Sequence, residues 1–192
     1  DLWGLACRRA VWGAEVLLSR TRRRSLRGHM RDSIERIGGE LAQRAPVLGS
    51  SDYNARNIVI SPQGEAFFLE FSKLSWDWTE RRLVQYTTSM GSGRGQGVIR
   101  PLLDPRAARL YADLQGADAQ RALDGHQVFF LLNAAAALCA ALERPTESTH
   151  AALLRAWQNP SQRLQALADA LSAPLSNDEQ IGSLRAAFVP QE

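Results

Sequence analysis

The sequence predicts a mainly α-helical chain with one embedded β-hairpin. Three observations carry that reading. Apolar residues recur at the helical period before residue 46 and after residue 77. Between them the pattern switches to two short apolar runs flanking a Ser-Pro-Gln-Gly turn. The composition, 45% hydrophobic and 22% charged over 192 residues, supports a buried core and not global disorder.

In chain order, Leu5, Trp12 and Val16 share one face of a first helix. Met30, Ile34, Ile37 and Leu41 share a face of a second, which Pro46 closes. Arg20-Thr21-Arg22-Arg23-Arg24-Ser25-Leu26-Arg27 is a basic connection between the two. Asn57-Ile58-Val59-Ile60 is a β-branched run, and Ser61-Pro62-Gln63-Gly64 places Pro and Gly where a β-turn uses them. Glu65 to Phe71 is the returning strand, and this hairpin is the one β element expected.

Trp78 to Met90 reads as a helix with Leu83, Tyr86, Thr87 and Met90 on one face. Asp104-Pro105 stands at the N-cap and first turn of another, carrying Ala107, Leu110, Tyr111 and Leu114. Val128, Leu132, Ala135, Ala136 and Cys139 predict a strongly buried helix. His150, Leu153, Leu154 and Trp157 give the next, and Asn159-Pro160 opens one bearing Leu164, Leu167, Ala168 and Leu171. Pro174, Ser176, Asn177 and Gly182 predict a loosely ordered tail over 176–192.

Several classes are excluded. The most apolar stretch, Val128 to Leu142, falls short of the ~18 residues that a membrane span needs. No signal peptide is visible. Cys7 and Cys139 make neither a disulfide framework nor a metal cluster, and His29, His126 and His150 are scattered. A cytoplasmic, reducing setting is expected. From Arg8 to Arg36 nine arginines face three acids, but no aromatics are interleaved in the Arg-rich connection. A solvated helical hairpin is therefore expected there, not a nucleic-acid site.

Chemistry concentrates in Ser50-Ser51-Asp52-Tyr53-Asn54-Ala55-Arg56-Asn57, the hairpin, and Phe68-Leu69-Glu70-Phe71. A hairpin brings its outer ends together, so Asn57 and Glu70 are expected near each other. Asp52 precedes Asn57 by five positions. Two carboxylates and an amide at one end of a hairpin suit an oxygen-loving divalent cation plus a base.

This ordered series resembles the catalytic core of the aminoglycoside phosphotransferase and choline kinase family. Ser51-Asp52-Tyr53, Asn57, Phe68-Leu69-Glu70-Phe71 and Trp76-Asp77 are similar to a bacterial variant of its motifs. The sharp match covers about forty residues, and D-x-x-x-x-N alone is common by chance. The resemblance implies the C-terminal lobe of a protein kinase-like α+β phosphotransferase fold over 1–175. Within it, 1–46 would be leading helices, 47–76 the catalytic loop and metal-binding hairpin, and 77–175 a helical body. It implies Asp52 as catalytic aspartate, and Asn57 and Glu70 as Mg²⁺ ligands. It further implies ATP or GTP as donor and a small hydroxylated acceptor.

Departures from the family pattern are specific. Glu70 stands where the family has aspartate, Ser50 where it has histidine, and Gln85 where it often has an acid. Of 23 basic residues one is a lysine, Lys73, which follows the metal position and so is not the family's phosphate-gripping lysine. The Gly-rich run from Gly91 to Gly97 lacks the Lys-Ser/Thr ending of a P-loop and reads as a flexible loop. A nucleotide-gripping N-terminal lobe is expected upstream or on another chain. The alternatives are a catalytically inactive interaction module and, behind it, an Arg-rich nucleic-acid binder.

Overall fold

The computed structural model describes residues 2–19, 27–50, 58–69, 73–90, 99–173 and 178–188. Helix α1 (Leu2–Ser19) lies along the longest helix, α5 (Ala117–Glu143). Its buried face is Ala10, Ala14, Leu17 and Leu18, with Gly13 also buried. The sequence pointed instead to Leu5, Trp12 and Val16, but Leu5 is exposed and the two others are half-buried. Small residues let the two backbones approach closely. A Cβ on Gly13 would overlap the Leu132 carbonyl oxygen.

Helix α2 (Arg27–Ala42) buries Met30, Ile34, Ile37 and Leu41, as its period predicts. These side chains join α1, α5 and α7 (Pro160–Ser172) in one hydrophobic core, with Leu164, Leu167 and Leu171 supplied by α7. Helix α5 is apolar on nearly all sides, as a helix packed by neighbours all round must be. By length and composition it could cross a membrane, which corrects the expectation of too short a stretch. Seventy-two per cent of its apolar window is buried inside the protein, so here it is the core helix. Cys139 is buried within it as a small core residue.

The β elements are richer than one hairpin. Strands β2 (Ile58–Ile60) and β3 (Ala66–Phe68) form the expected antiparallel hairpin, with Ile58 opposite Phe68 and Ile60 opposite Ala66. Its turn closes through Gly64 N–H donating to the Ser61 carbonyl at 2.9 Å, with Gly64 at φ 86°. A second antiparallel pair, β1 (Val47–Ser50) and β4 (Leu74–Asp77), brackets that hairpin in sequence. A third joins β5 (Ser89–Met90) to β6 (Ile99–Arg100), where the helix from Trp78 was expected to continue. That helix, α3 (Thr79–Thr87), is shorter, and Val84 is its fully buried apolar residue among those described.

Helix α4 (Pro105–Gln115) begins where predicted, Asp104 accepting from the Arg106 and Ala107 N–H groups. Leu110 and Leu114 are exposed, and Ala107, Ala108 and Tyr111 pack inward. Helix α6 (Ser148–Ala156) covers the core with Leu154, and Trp157 follows at its end. Within the tail expected to be loosely ordered, the described residues 178–188 include a docked helix. Helix α8 (Glu179–Ala186) follows the N-cap Asp178, and Ile181, Leu184 and Phe188 are buried in the core.

Candidate functional site

Asp52, Asn57 and Glu70, the three site residues read from the sequence, lie outside the described residues. So do the connection from Arg20 to Leu26 and the Gly-rich run. The strands adjoining the site residues in sequence are described. Asn57 immediately precedes Ile58, Glu70 follows Phe68 by two positions, and Ile58 and Phe68 are paired. Asp52 follows Ser50 by two positions, and Ser50 is paired with Leu74. Two antiparallel pairs thus flank both segments that carry the motif.

A single guanidinium braces the outer pair. Arg82 of α3 donates through Nη2 to the Val47 carbonyl (2.9 Å) and the Ser75 carbonyl (2.7 Å), with the Gly49 carbonyl at 3.4 Å. A Cβ on Gly49 would collide with that guanidinium, so glycine is what admits it. The brace ties β1 and β4 to the same helix. Sequence reading missed Arg82, because an arginine on a short helix carries no signal of carbonyls that come from two distant strands.

Strand β4 alternates in an inverted sense. Leu74 and Trp76 are exposed, Ser75 is half-buried and Asp77 is buried. Leu48, opposite Trp76, is exposed as well. The outer face of this pair is apolar, and the opposite face carries Ser75 and Asp77, with exposed Val47 beside Asp77. Asp77 stands one residue before the α3 cap position, which Trp78 occupies. Asp77 accepts from Trp78 N–H (2.8 Å) and takes Arg81 in a two-pronged ion pair at 2.7 and 2.6 Å. That geometry orders the β4–α3 junction. Trp78 Nε1–H donates to the Arg44 carbonyl at 2.7 Å, and Arg44 pairs with buried Glu80 at 2.7 Å. These contacts fasten the end of α2 to the same junction. Burial, with the Glu80 carboxylate second, raises the Tyr111 phenol above its ordinary pKa.

An aromatic cavity of about 610 Å³ opens between α1, the β4–α3 junction and α5. Four of the chain's five tryptophans line it: Trp3, Trp76, Trp78 and Trp157. Trp3 meets Trp78 and Phe129 edge to face, with ring centres 5.0 and 5.5 Å apart, and lies 5.7 Å from His126. Trp78 packs into this wall, whereas Trp76 is 69% exposed. His126 is buried, and its Nε2 has no hydrogen-bond partner among the described residues. Burial, reinforced by the Arg81 charge and opposed by Asp77, lowers its pKa to about 3. It is therefore a neutral wall residue near pH 7.

Among the described residues no group of three His, Cys, Asp or Glu side chains is placed to hold a metal ion. No protein-family model, curated protein or solved structure matches this chain.

Proposed function

We propose that the chain is the C-terminal lobe of an aminoglycoside phosphotransferase-like kinase, acting on a small hydroxylated acceptor. The observation that carries this is the order Asp52, Asn57, hairpin, Glu70, joined to a hairpin whose register pairs Ile58 with Phe68. On this reading Asp52 orients the acceptor hydroxyl and takes its proton. Asn57 and Glu70 supply hard oxygen donors, the ligand type that Mg²⁺ prefers. Bound Mg²⁺ would neutralise charge on the nucleotide phosphates. Arg82 then serves as a positioning residue, because it fixes the strands that lead into the motif segments.

ATP or GTP is held on this reading by a second, nucleotide-gripping lobe, upstream or on another chain. The apolar outer face of β1 and β4, with Leu48, Leu74 and Trp76 exposed, supports a covering lobe there. The test is Mg²⁺-dependent ATP turnover by the two lobes together. Asp52→Asn is expected to abolish it, and normal turnover in that variant removes Asp52 from the mechanism.

A second reading, an inactive kinase-like interaction module, is favoured by Glu70, Ser50 and Gln85 standing where the family has other residues. Mg²⁺ demands near-octahedral geometry, and a carboxylate displaced by about an ångström can cost roughly a hundredfold in rate. A large gain of turnover in Glu70→Asp indicates a degraded active site. No turnover in either form favours the module.

A further inference from the structure

We propose that the aromatic cavity between α1, the β4–α3 junction and α5 binds a flat aromatic small molecule that carries an anionic group. This inference does not depend on the phosphotransferase reading: Trp76 and Asp77 fall in the resembling stretch, but the argument uses only where they stand around the cavity.

The size of the cavity, about 610 Å³, lies within the range of small-molecule sites. Its walls select the body of the ligand. Concentrating four of five tryptophans around one opening gives several indole faces for stacking. Trp3, Trp78, His126 and Phe129 already pack against one another and form a preorganised wall. Trp76, 69% exposed, stands at the rim with a large apolar surface in water. A planar ring between rim and wall would remove that surface from solvent.

The polar groups select the charge. The one carboxylate lining the cavity is Asp77, whose two oxygens are both engaged by Arg81. Arg9 also lines the cavity; it is exposed and has no ion pair among the described residues. The lining therefore carries a net positive charge with one arginine uncommitted. With Asp77 paired, the wall offers no spare anion. A cationic ligand would gain from the indole faces but meet Arg9, whereas an aryl anion is favoured by both features.

The probe is 2-naphthoate, titrated calorimetrically into the 192-residue chain. Saturable 1:1 binding with Kd at or below about 1 mM is expected from its size. Cyclohexanecarboxylate, an anion without a π face, and 2-naphthalenemethanol, a π face without charge, should each bind about tenfold more weakly. Benzyltrimethylammonium should not bind more tightly than naphthoate. Trp3→Leu and Arg9→Gln should each weaken naphthoate about tenfold, while Trp12→Phe, outside this cavity, leaves it unchanged. If Trp3→Leu loses its fold by circular dichroism, Arg9→Gln at the exposed rim carries the test alone. Absent saturation, full affinity in Arg9→Gln, or preference for the ammonium overturns the proposal.

Discussion

Gly13→Ala should destabilise the protein, although helix propensity alone predicts the opposite. Gly13 lies inside α1, where replacing glycine by alanine ordinarily contributes about 1 kcal/mol of stability. The position faces α5 at backbone distance. A Cβ there would overlap the Leu132 carbonyl oxygen and stand 2.9 Å from the Leu132 carbonyl carbon and 3.3 Å from the Ala136 nitrogen. All three are main-chain atoms, so no rotamer change relieves the overlap. Helix α1 must lift away from α5, loosening the contacts of Ala10, Ala14, Leu17 and Leu18 along the same face. Overpacking of this kind reaches about 3 kcal/mol, which against the propensity gain leaves a net loss of about 2. For a chain of this size that lowers Tm by about 4–8 °C. Gly39→Ala in α2 is the matched control, because nothing lies within 4 Å of its added methyl. It should raise Tm by about 2–4 °C. Urea unfolding at constant m-value is the assay. A Gly13→Ala variant as stable as the parent would refute the close α1–α5 approach.

Three further outcomes are expected. The His126 pKa falls from 6.5 in the unfolded chain to about 3 when folded, so below pH 6.5 the unfolded state binds a proton the folded state refuses. Stability is full above that pH and should fall by about 2 kcal/mol on going to pH 5, a slope that His126→Gln removes; an unchanged slope in urea midpoints against pH would contradict it. Arg82→Ala should cost about 2 kcal/mol, because the Val47 and Ser75 carbonyls lose the one nitrogen that bridges them; unchanged stability in urea unfolding would deny the brace. Asp178→Ala removes the cap of α8 and an ion pair with Arg121 at 3.1 Å and should cost about 1–2 kcal/mol, whereas no shift in thermal melting would mean that α8 is not docked.

Helices with a large apolar stripe were legible in the sequence. Met30, Ile34, Ile37 and Leu41 bury as their spacing dictates, and Asp104 caps α4 where Asp-Pro placed it. The face of α1 was not, because periodicity reads side-chain size. This helix packs through Ala10, Gly13 and Ala14, where the absence of side chain is the signal. The tail misled for a related reason. Pro174, Asn177 and Gly182 are poor helix residues locally, yet Ile181, Leu184 and Phe188 find space in a core built by distant helices, and burial overrides propensity. The aromatic cavity could not be read, since it needs Trp3 from α1 and His126 from α5.

The β1–β4 pair shows where sequence logic inverts. A strand with apolar residues at alternate positions is ordinarily placed with those residues inward. In β4 those positions are Leu74 and Trp76, and they face out, while Asp77 is inside with Arg81 as its partner. Alternation fixes which residues share a face, but not which face is covered by the same chain. Here the inner face is decided by Arg82, which needs bare carbonyls and a glycine beside it, and by Asp77, which needs Arg81. Turning the strand over would bury Leu74 and Trp76 against a guanidinium and strand a carboxylate in solvent away from its cation. The polar interior therefore forces the apolar exterior. Leu48, Leu74 and Trp76 lie exposed on the strands that lead to Asp52 and away from Glu70, which is why a covering lobe and the phosphotransferase reading support each other.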